Sequence, residues 1–522
     1  MFRLSGLLAF LAAAAFGQIP CEQFKLSFPD ATVTSIESIP AGPFQAPSPQ
    51  IAPIPAPESD VESAGPAGPA RAAAPRAAAP PPVNVPAYCR VMMILTPSSD
   101  SKIEAAVFLP TENWNGKLQV VGNGGWAGTV SYPAMADALR EGYATASNDT
   151  GHRAADMGGN GMFALGHPEK ITDFAYRAMH ETVVKAKAIT AAFYGSGPKY
   201  SYYNGCSTGG RQGLVEATRF PDDFDAVVAG APANPHVHLH AAGVERSLEL
   251  MKNNAPLSKE KVETLHKAVM DACDGLDGVK DGIISNPERC HYDPSALLCK
   301  NGNGASCLTP AELKTVQTVF SDVRTKTGEV IWTGYPAGTE LDVAALRNTP
   351  KSPGGVWDVI RILGHQNKDY DWHNFDLAKE VAQADKAGID VLTFDLSAFK
   401  AHGGKLLLYH GWADPGIPPG HTVSYYKSVL DTMGGKQDDW LRLFMEPGMA
   451  HCRGGAGPDQ FNKMAVIERW REKGEAPNSI LAARVANGRI EMTRPLCPYP
   501  QAAVYKGTGS TNDAENFSCK QP

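Results

Sequence analysis

Residues 205–209 read Gly-Cys-Ser-Thr-Gly and place Ser207 between two glycines. This G-x-S-x-G pattern is typical of a serine nucleophile held on a sharp turn between a strand and a helix. The context is present, because residues 200–203 have strand character and residues 209–219 can form a helix. A serine hydroxyl becomes a good nucleophile only when a base takes its proton. The motif therefore predicts acyl-transfer chemistry at Ser207, and an ordinary glycine-rich turn is the alternative.

Two later segments supply the acid and the base that such a serine requires. The strand-like residues 405–409 lead to Asp414, and the strand-like residues 440–445 lead to His451. In hydrolases with this motif the order along the chain is serine, acid, histidine, and each follows a strand. We therefore expect Asp414 to orient His451 and His451 to deprotonate Ser207. Three substitutes stay open, namely Glu446 or Asp439 for the acid and His410 for the base.

One cysteine immediately precedes Ser207 and another immediately follows His451. If the hydroxyl and the imidazole are within hydrogen-bond reach, the Cα atoms of these cysteines approach the roughly 4.4–6.8 Å separation of a disulfide. We therefore expect a bridge between Cys206 and Cys452 that holds the catalytic pair in register. The alternative is two unrelated cysteines, each paired locally.

An oxyanion hole requires two backbone N–H groups near the reacting carbonyl. One is expected from Thr208, the residue after the nucleophile, and one from a glycine loop after an early strand. Residues 122–125, Gly-Asn-Gly-Gly, are the best candidate loop, and Gly124 or Gly125 is the expected donor. A simple tight turn is the alternative interpretation of this loop.

The N-terminus has the features of a secretory signal peptide over residues 1–17. Arg3 precedes an apolar run that is too short to span a bilayer, and small residues at positions 15 and 17 suit cleavage. Export would place the ten cysteines, an even number, in an oxidising compartment that favours disulfides over metal thiolates. We therefore expect a secreted or periplasmic protein without a membrane span.

Composition narrows the class of partner. The chain has 522 residues, 43% hydrophobic and 20% charged, which is ordinary for a soluble enzyme with one core domain and a large insert. Its net charge of -7 offers no basic patch for nucleic acid. The expected partner is a small-molecule substrate, and the oligomeric state stays open.

Strand-like and helical segments alternate on both sides of Ser207. Apolar runs at 91–95, 105–109 and 117–121 precede an amphipathic helix expected over 171–193. Such alternation predicts the α/β class, with a mostly parallel sheet covered by helices.

The alternation stops between residues 235 and 397, where helices are expected over 258–273 and from a capping box at Thr309. We interpret this segment as an inserted lid. The domain organisation expected is a signal peptide, 1–17, an α/β core in two parts, 18–234 and 398–522, a Pro/Ala-rich mobile loop, 41–86, and the lid, 235–397.

Residues 205–211, Gly-Cys-Ser-Thr-Gly-Gly-Arg, together with Asp414 and the pair His451-Cys452, resemble the tannase and feruloyl esterase family. That family also includes enzymes that cleave mono-(2-hydroxyethyl) terephthalate. The resemblance extends from Cys21 to Cys519 apart from the Pro/Ala-rich loop. It implies an α/β-hydrolase core, a lid between nucleophile and acid, and the bridge between the two cysteines beside serine and histidine. It also implies the pairs Cys21–Cys89, Cys273–Cys290, Cys299–Cys307 and Cys497–Cys519.

Residues 274–283 of the lid carry three aspartates and three glycines in one turn-rich segment. Hard oxygen donors on a tight loop are what Ca²⁺ needs, although the spacing departs from an EF-hand and a solvated acidic turn is the alternative. The family resemblance implies a structural calcium ion and no organic cofactor. Its ligands would be the carboxylates of Asp274, Asp277 and Asp281 and the carbonyl groups of Val279 and Ile283.

Together these patterns favour a secreted serine carboxylic ester hydrolase that acts through an acyl-enzyme, and the family resemblance implies aromatic esters of the feruloyl, hydroxycinnamoyl or galloyl type as its substrates. A terephthalate-monoester hydrolase, an acyl transferase, and a non-catalytic exported binding protein on the same scaffold are the alternatives. The lid residues Trp357, Trp372, Phe375 and Arg361 could line the substrate pocket, but large aromatic residues are more often part of a core.

Overall fold

The computed structural model of the protein describes residues 18–47, 83–153, 160–300, 302 and 304–521. The signal peptide expected over 1–17 lies outside the described residues, as do residues 48–82 of the Pro/Ala-rich loop. The two described ends of that loop pair as short antiparallel strands, Gly42–Pro43 and Asn84–Val85. Within the described ranges, no helix has both the length and the apolarity that a membrane span requires.

A nine-stranded sheet forms the centre of the molecule. Its strands, in chain order, are β1 (Ala31–Ile39), β2 (Tyr88–Leu95), β3 (Ile103–Pro110), β4 (Lys117–Val121), β5 (Ala144–Asn148), β6 (Tyr200–Cys206), β7 (Ala226–Gly230), β8 (Lys405–Gly411) and β9 (Leu441–Glu446). Their order across the sheet is β1-β2-β3-β5-β4-β6-β7-β8-β9. Strands β4 to β9 are parallel to one another, whereas β1, β2 and β3 form an antiparallel edge that ends on β5.

Eleven α-helices lie in the described part of the chain. They are α1 (Tyr132–Arg140), α2 (Pro168–Thr172), α3 (Ala178–Tyr194), α4 (Thr208–Arg219), α5 (His236–Asn253), α6 (Lys259–Cys273), α7 (Pro310–Phe320), α8 (Leu377–Ala384), α9 (Ser397–Ala401), α10 (Gly420–Thr432) and α11 (Lys463–Lys473). A π-helical turn, Asp173–Arg177, joins α2 to α3, so the helix expected over 171–193 is nearly continuous. The capping box at Thr309 is present, because its hydroxyl accepts the Glu312 N–H and the Glu312 carboxylate accepts the Thr309 N–H.

The α/β-hydrolase class predicted from the sequence is confirmed. All residues of β7 are buried, and β8 is buried after its first residue. A strand covered on both faces reads as a continuous apolar run, which explains why these parallel strands do not alternate in sequence. Helices α3 and α4 pack their buried residues into one core that covers a face of the sheet.

The chain leaves the sheet at the end of β7 and rejoins it at β8, and the predicted lid, 235–397, falls between these strands. A second core fills this part of the molecule, built around the buried residues Trp332, Trp357 and Ile360. Phe163 and Phe174, which precede α3, belong to the same core. The lid is therefore packed on the segment that leads into α3.

The last part of the chain contains two hairpins that the sequence analysis did not predict. They are formed by Ile480–Ala486 with Arg489–Leu496 and by Ala502–Tyr505 with Phe517–Lys520. Phe517 packs with Val279 of the acidic lid loop in a small apolar cluster. The C-terminus thus supports the loop for which calcium was expected.

Candidate active site

Ser207 stands at the turn between β6 and α4 with φ 65° and ψ -125°. A non-glycine residue seldom adopts this conformation, so the surrounding hydrogen bonds must hold it. The Ser207 N–H donates to the Gly230 carbonyl group at 3.0 Å, and the Ser207 carbonyl group accepts the N–H groups of Arg211 and Ala233 at 3.0 and 3.1 Å. The strand–turn–helix expected from the motif is present, and it carries the serine side chain outward at the carboxyl end of the sheet.

The glycines of the motif are required by close backbone contacts. A Cβ atom on Gly205 would lie 2.6 Å from the Gly209 carbonyl oxygen, and one on Gly209 would lie 2.8 Å from the Asn123 carbonyl oxygen. A Cβ atom on Gly210 would collide with the carbonyl oxygen of Gly230. Only glycine lets helix α4 begin this close to the neighbouring loops.

Asp414 and His451 meet in the loops that follow β8 and β9. The Nδ1 atom of His451 lies 2.6 Å from Oδ2 of Asp414, and the Oδ1 atom of Asp414 accepts the N–H groups of Gly416 and Ile417 at 2.7 and 2.9 Å. A carboxylate on Nδ1 selects the tautomer that carries its proton there, which leaves Nε2 as the acceptor. The Asp414 side chain is fully buried, whereas 35% of the His451 side chain is exposed.

A second histidine supports the same carboxylate. His410 is fully buried, and its Nε2 lies 3.1 Å from both Oδ2 of Asp414 and the carbonyl oxygen of Ile417. Both partners are acceptors, so Nε2 carries the proton and Nδ1 accepts the Thr422 hydroxyl at 2.8 Å. His410 therefore donates to the acid and has no free nitrogen for the serine. From the sequence, His410 was an alternative base; the structure gives it this supporting role instead, for which its position four residues before Asp414 was a signal.

The alternative acids have unsuitable surroundings. Burial works to raise the pKa of Asp414, but hydrogen bonds from His410 and His451 outweigh it and hold the pKa well below its ordinary value. Burial raises the pKa of Glu446 far above its ordinary value, and neither of its carboxyl oxygens has a hydrogen-bond partner. A carboxyl group in these surroundings is poorly suited to stabilise a histidine cation, and Asp439 has a mostly exposed side chain near Lys400.

The disulfide Cys206–Cys452 joins the two halves of the site. Its Cα atoms are 6.1 Å apart, and its cysteines are the chain neighbours of Ser207 and His451. Of the hydrogen bonds in the described part of the chain, none joins the Ser207 hydroxyl to the His451 ring. Catalytic hydrogen bonds are commonly long before substrate binds, and the bridge ties together the two segments that carry these side chains.

The glycine loop after β4 lies against the start of α4. The Gly122 N–H donates to the Asn204 carbonyl group at 3.0 Å, and the Asn123 N–H donates to the Gln212 side chain at 3.0 Å. The Thr208 hydroxyl donates to the Gly125 carbonyl group. Among the described residues, no partner accepts the N–H groups of Gly124, Gly125 or Thr208, so these three stay available for an oxyanion.

The remaining cysteines are paired as the family resemblance implied. The bridges are Cys21–Cys89, Cys273–Cys290, Cys299–Cys307 and Cys497–Cys519. Local pairing of Cys206 and Cys452, the alternative left open by the sequence, is wrong.

Of the aromatic residues singled out in the lid, Trp357 belongs to its core, whereas Trp372 and Phe375 are partly buried and pack against that core. Trp357 is 5% exposed and donates its indole N–H to the Tyr370 carbonyl group at 3.0 Å, and Phe375 packs against its ring. Trp372 stacks on His373 with ring centroids 3.7 Å apart. Arg361 is held by Asp358 at 2.7 Å and by the Lys368 carbonyl group at 2.9 Å. These contacts stabilise the lid.

The acidic loop of the lid folds its carboxylates onto its own backbone. Asp274 accepts the Gly282 N–H at 3.2 Å, Asp277 accepts the Val279 N–H at 3.1 Å, and Asp281 accepts the Ile283 N–H at 3.2 Å. The loop turns at Gly278 and Gly282, which have φ of 95° and 82°.

The charges in this loop suit a bound cation, although the guanidinium group of Arg494 competes for one of the carboxylates. Burial, followed by the neighbouring Asp281, raises the pKa of Asp277. Burial also raises the pKa of Asp281, although Arg494 forms an ion pair with that carboxylate and opposes the rise. Oxygen donors and partly buried like charges suit Ca²⁺. The described residues, however, contain one set of three acidic or histidine side chains whose ligand atoms all lie within 4.8 Å of one another. That set is not in this loop; it consists of His180, Glu216 and Asp223.

The sequence matches a known family model, described as tannase and feruloyl esterase, over residues 89–520. It is 34% identical over 573 residues to an uncharacterized esterase of Xanthomonas campestris pv. campestris, and the alignment covers 99% of this chain and 93% of that protein. It is also 36% identical over 459 residues to probable feruloyl esterase B-1 of Aspergillus oryzae, which covers 83% of this chain and 84% of the relative.

Solved structures give the same similarity. Feruloyl esterase B from Aspergillus oryzae superimposes on this chain with a TM-score of 0.83 and 33% sequence identity. The superposition covers 96% of this chain and 99% of the chain of that esterase. Tannin acyl hydrolase from Aspergillus niger superimposes with a TM-score of 0.74 at 20% identity and covers 96% of this chain and 93% of its own. The second likeness supports the shared fold.

Proposed function

Because this chain belongs to the tannase and feruloyl esterase family and is an esterase, we propose that it hydrolyses aromatic esters through an acyl-enzyme on Ser207. The observation that carries the proposal is the tethered constellation at the carboxyl end of the sheet. Asp414 holds His451 at 2.6 Å, and the bridge Cys206–Cys452 ties that histidine to the segment of the serine. A hydroxyl, an imidazole and a buried carboxylate in this order form a proton-transfer chain.

The steps follow from the positions of the three side chains. His451 Nε2 takes the hydroxyl proton while Ser207 attacks the ester carbonyl carbon. Asp414 is ionised because its pKa is lowered, and it stabilises the imidazolium that forms. His410 donates to the same carboxylate oxygen and prevents its rotation. His451 then protonates the leaving alcohol, and a water molecule repeats the sequence to release the acid.

The negative oxygen of each tetrahedral intermediate requires N–H donors. We assign this role to Thr208 and to Gly124 or Gly125, whose N–H groups have no acceptor among the residues that the structure describes. Thr208 is the first residue of α4, so its N–H is one of the groups that a helix leaves unpaired. The positive end of the helix dipole adds to the stabilisation of the anion.

The substrate class rests on the relatives. Two of them carry the words feruloyl esterase in their names and match at 33% identity or more over most of their length. We therefore favour a feruloyl or related hydroxycinnamoyl ester, with galloyl esters suggested by the name of the family. Hydrolysis of a terephthalate monoester is a competing activity for the same site.

The cysteines bear on where the protein works. All five bridges require an oxidising compartment, and the signal-like residues 1–17 are consistent with export. We propose that the protein is secreted or periplasmic.

We also propose that the acidic loop of the lid binds a structural calcium ion. Its ligands would be the carboxylates of Asp274, Asp277 and Asp281 and the carbonyl oxygens of Val279 and Ile283. The ion would neutralise like charges and fix the loop against the C-terminal hairpins, with no part in the reaction.

A panel of three substrates tests the function. The purified protein is assayed with methyl ferulate, methyl gallate and mono-(2-hydroxyethyl) terephthalate, beside the variants Ser207→Ala and Ser201→Ala. Ser201 lies on the same strand as the nucleophile and is a matched control. We expect turnover of methyl ferulate to fall by about 10⁴-fold or more in Ser207→Ala and to persist in Ser201→Ala. Equal turnover by wild type and Ser207→Ala would reject the mechanism, and preference for the terephthalate ester would reject the substrate class.

A further inference from the structure

A histidine and two carboxylates converge between helix α3 and the turn that follows α4. His180 is on α3, Glu216 is near the end of α4, and Asp223 is in the turn before β7. One ligand atom from each lies within 4.8 Å of the others. Glu216 is nine residues beyond Ser207, which corresponds to about 13 Å along the helix axis. The cluster is therefore separate from the reacting atoms.

The contacts within this cluster leave one carboxyl group without a donor. Nδ1 of His180 lies 2.6 Å from Oδ2 of Asp223, and the His180 ring stacks on Phe220 with centroids 3.8 Å apart. Glu216 is 1% exposed, and neither of its carboxyl oxygens has a hydrogen-bond partner. A buried carboxyl group without a donor is costly, so either a proton held between Glu216 and the facing Asp223 or a cation absent from the protein chain should compensate it.

The charges around Glu216 favour a cation. The carboxyl groups of Glu216 and Asp223 face each other beside His180, and burial of Glu216 removes the solvent that would screen two like charges. Lys187 is a nearby basic group, but its ammonium group donates to the Asp222 carbonyl oxygen at 3.1 Å. A divalent ion between the two carboxylates would remove their repulsion and give Glu216 a bond.

We propose that His180, Glu216 and Asp223 bind a divalent transition-metal ion, for which Zn²⁺ is the best match. One imidazole nitrogen and two carboxylate oxygens are a usual zinc donor set, at about 2.0–2.2 Å from the ion. Ca²⁺ and Mg²⁺ prefer oxygen donors alone, so the nitrogen discriminates against them. The His180 side chain is 29% exposed, which leaves a path for the ion and for a water molecule as fourth ligand.

The bound ion would have a structural effect that reaches the active site through one helix. It would join α3 to the end of α4, and α4 begins at the residue after Ser207. The ion takes no part in ester hydrolysis, because its ligands lie at the far end of that helix.

Thermal unfolding tests zinc binding directly. The full-length protein is stripped with a chelator, supplied with excess Ca²⁺ so that the lid loop is saturated, and then titrated with Zn²⁺. At a free zinc concentration a hundred times Kd, we expect Tm to rise by about 2–3 °C. The variant Glu216→Gln removes one charge with little change in shape, so it should stay folded and lose the zinc-dependent rise.

Two further variants separate the site from unspecific binding. His180→Asn changes the partly exposed ligand and should also lose the rise in Tm. His167→Asn is the matched control, since His167 pairs with Asp100 at 3.1 Å without a third ligand, and it should keep the rise. Diffraction at the zinc absorption edge should show a peak about 2.0–2.2 Å from all three ligand atoms. An equal rise in Glu216→Gln and wild type, no rise in wild type, or a zinc peak elsewhere alone would overturn the proposal.

Discussion

Removal of the Cys206–Cys452 bridge should separate the positioning of the catalytic pair from the stability of the fold. The perturbation is the double variant Cys206→Ala/Cys452→Ala, which leaves Ser207, Asp414 and His451 unchanged. In the structure this bridge is the covalent link between the nucleophile turn and the histidine loop, with Cα atoms 6.1 Å apart. Hydrogen bonds from Trp412 to Glu446 and from Ala413 to Met449 also join the loops of the acid and the base. Loss of the bridge should therefore loosen the position of His451 relative to Ser207, whereas the position of His451 relative to Asp414 should change less.

The expected magnitudes follow from the geometry. The bridge closes a loop of 246 residues, for which chain entropy gives about 5 kcal/mol of stabilisation. Misplacement of a catalytic group by about 1 Å costs about 100-fold in rate, so kcat should fall by about 10–100-fold. KM should change less, because no substrate contact is removed.

The assay compares this variant with Cys497→Ala/Cys519→Ala, which removes a bridge at the C-terminus. That bridge closes a loop of 22 residues, so its loss should cost about 3 kcal/mol with little effect on kcat. Urea midpoints give stability, and ester hydrolysis under conditions where both variants are folded gives kcat and KM. Wild-type kcat in the folded Cys206→Ala/Cys452→Ala variant would refute the reasoning.

Four more outcomes are expected. Asp414→Asn should lower kcat by about 10³–10⁴-fold, because the amide selects the wrong tautomer of His451, and a loss below tenfold would exclude Asp414 as the orienting acid. Because the pKa of Asp414 is lower in the folded than in the unfolded protein, its ionised form stabilises the fold at any pH above the ordinary carboxyl pKa. The difference in unfolding free energy between wild type and Asp414→Asn should therefore shrink as pH falls from about 4 to about 2, and a constant difference in urea midpoints would contradict this. Gly210→Ala should destabilise by about 1–3 kcal/mol, because its Cβ collides with Gly230, whereas Gly197→Ala, with open space around it, should be tolerated; equal urea midpoints for the two variants would disagree. Removal of calcium with a chelator should lower Tm, restored by Ca²⁺ and not by Mg²⁺, and an unchanged Tm would count against the lid site.

Local patterns in the sequence were sufficient for much of the fold. The strand over 117–121 and the capping box at Thr309 occur as predicted, because each depends on a few neighbouring residues. Strand β1 was missed because it lies at the sheet edge and carries no continuous apolar run. The C-terminal hairpins were missed for a similar reason, since long-range packing rather than local pattern fixes them.

In the candidate site, too, features set by local sequence patterns were predicted, whereas features set by long-range packing were not. The segments of Ser207, Asp414 and His451 were found from motif and order, and the bridge beside them followed from their expected proximity. The contact of His410 with Asp414 depends on the path of the loop after β8, which no local pattern specifies. The cluster of His180, Glu216 and Asp223 has no motif at all, because its side chains meet only when α3 packs beside α4.

Covalent labelling of the nucleophile tests the central claim most directly. A fluorophosphonate reacts with a serine that a neighbouring histidine has activated, and peptide mass analysis locates the modified residue. The account predicts about one label per molecule, at Ser207, and loss of labelling in His451→Ala although its serine is retained. Labelling at another residue, or equal labelling of wild type and His451→Ala, would contradict it.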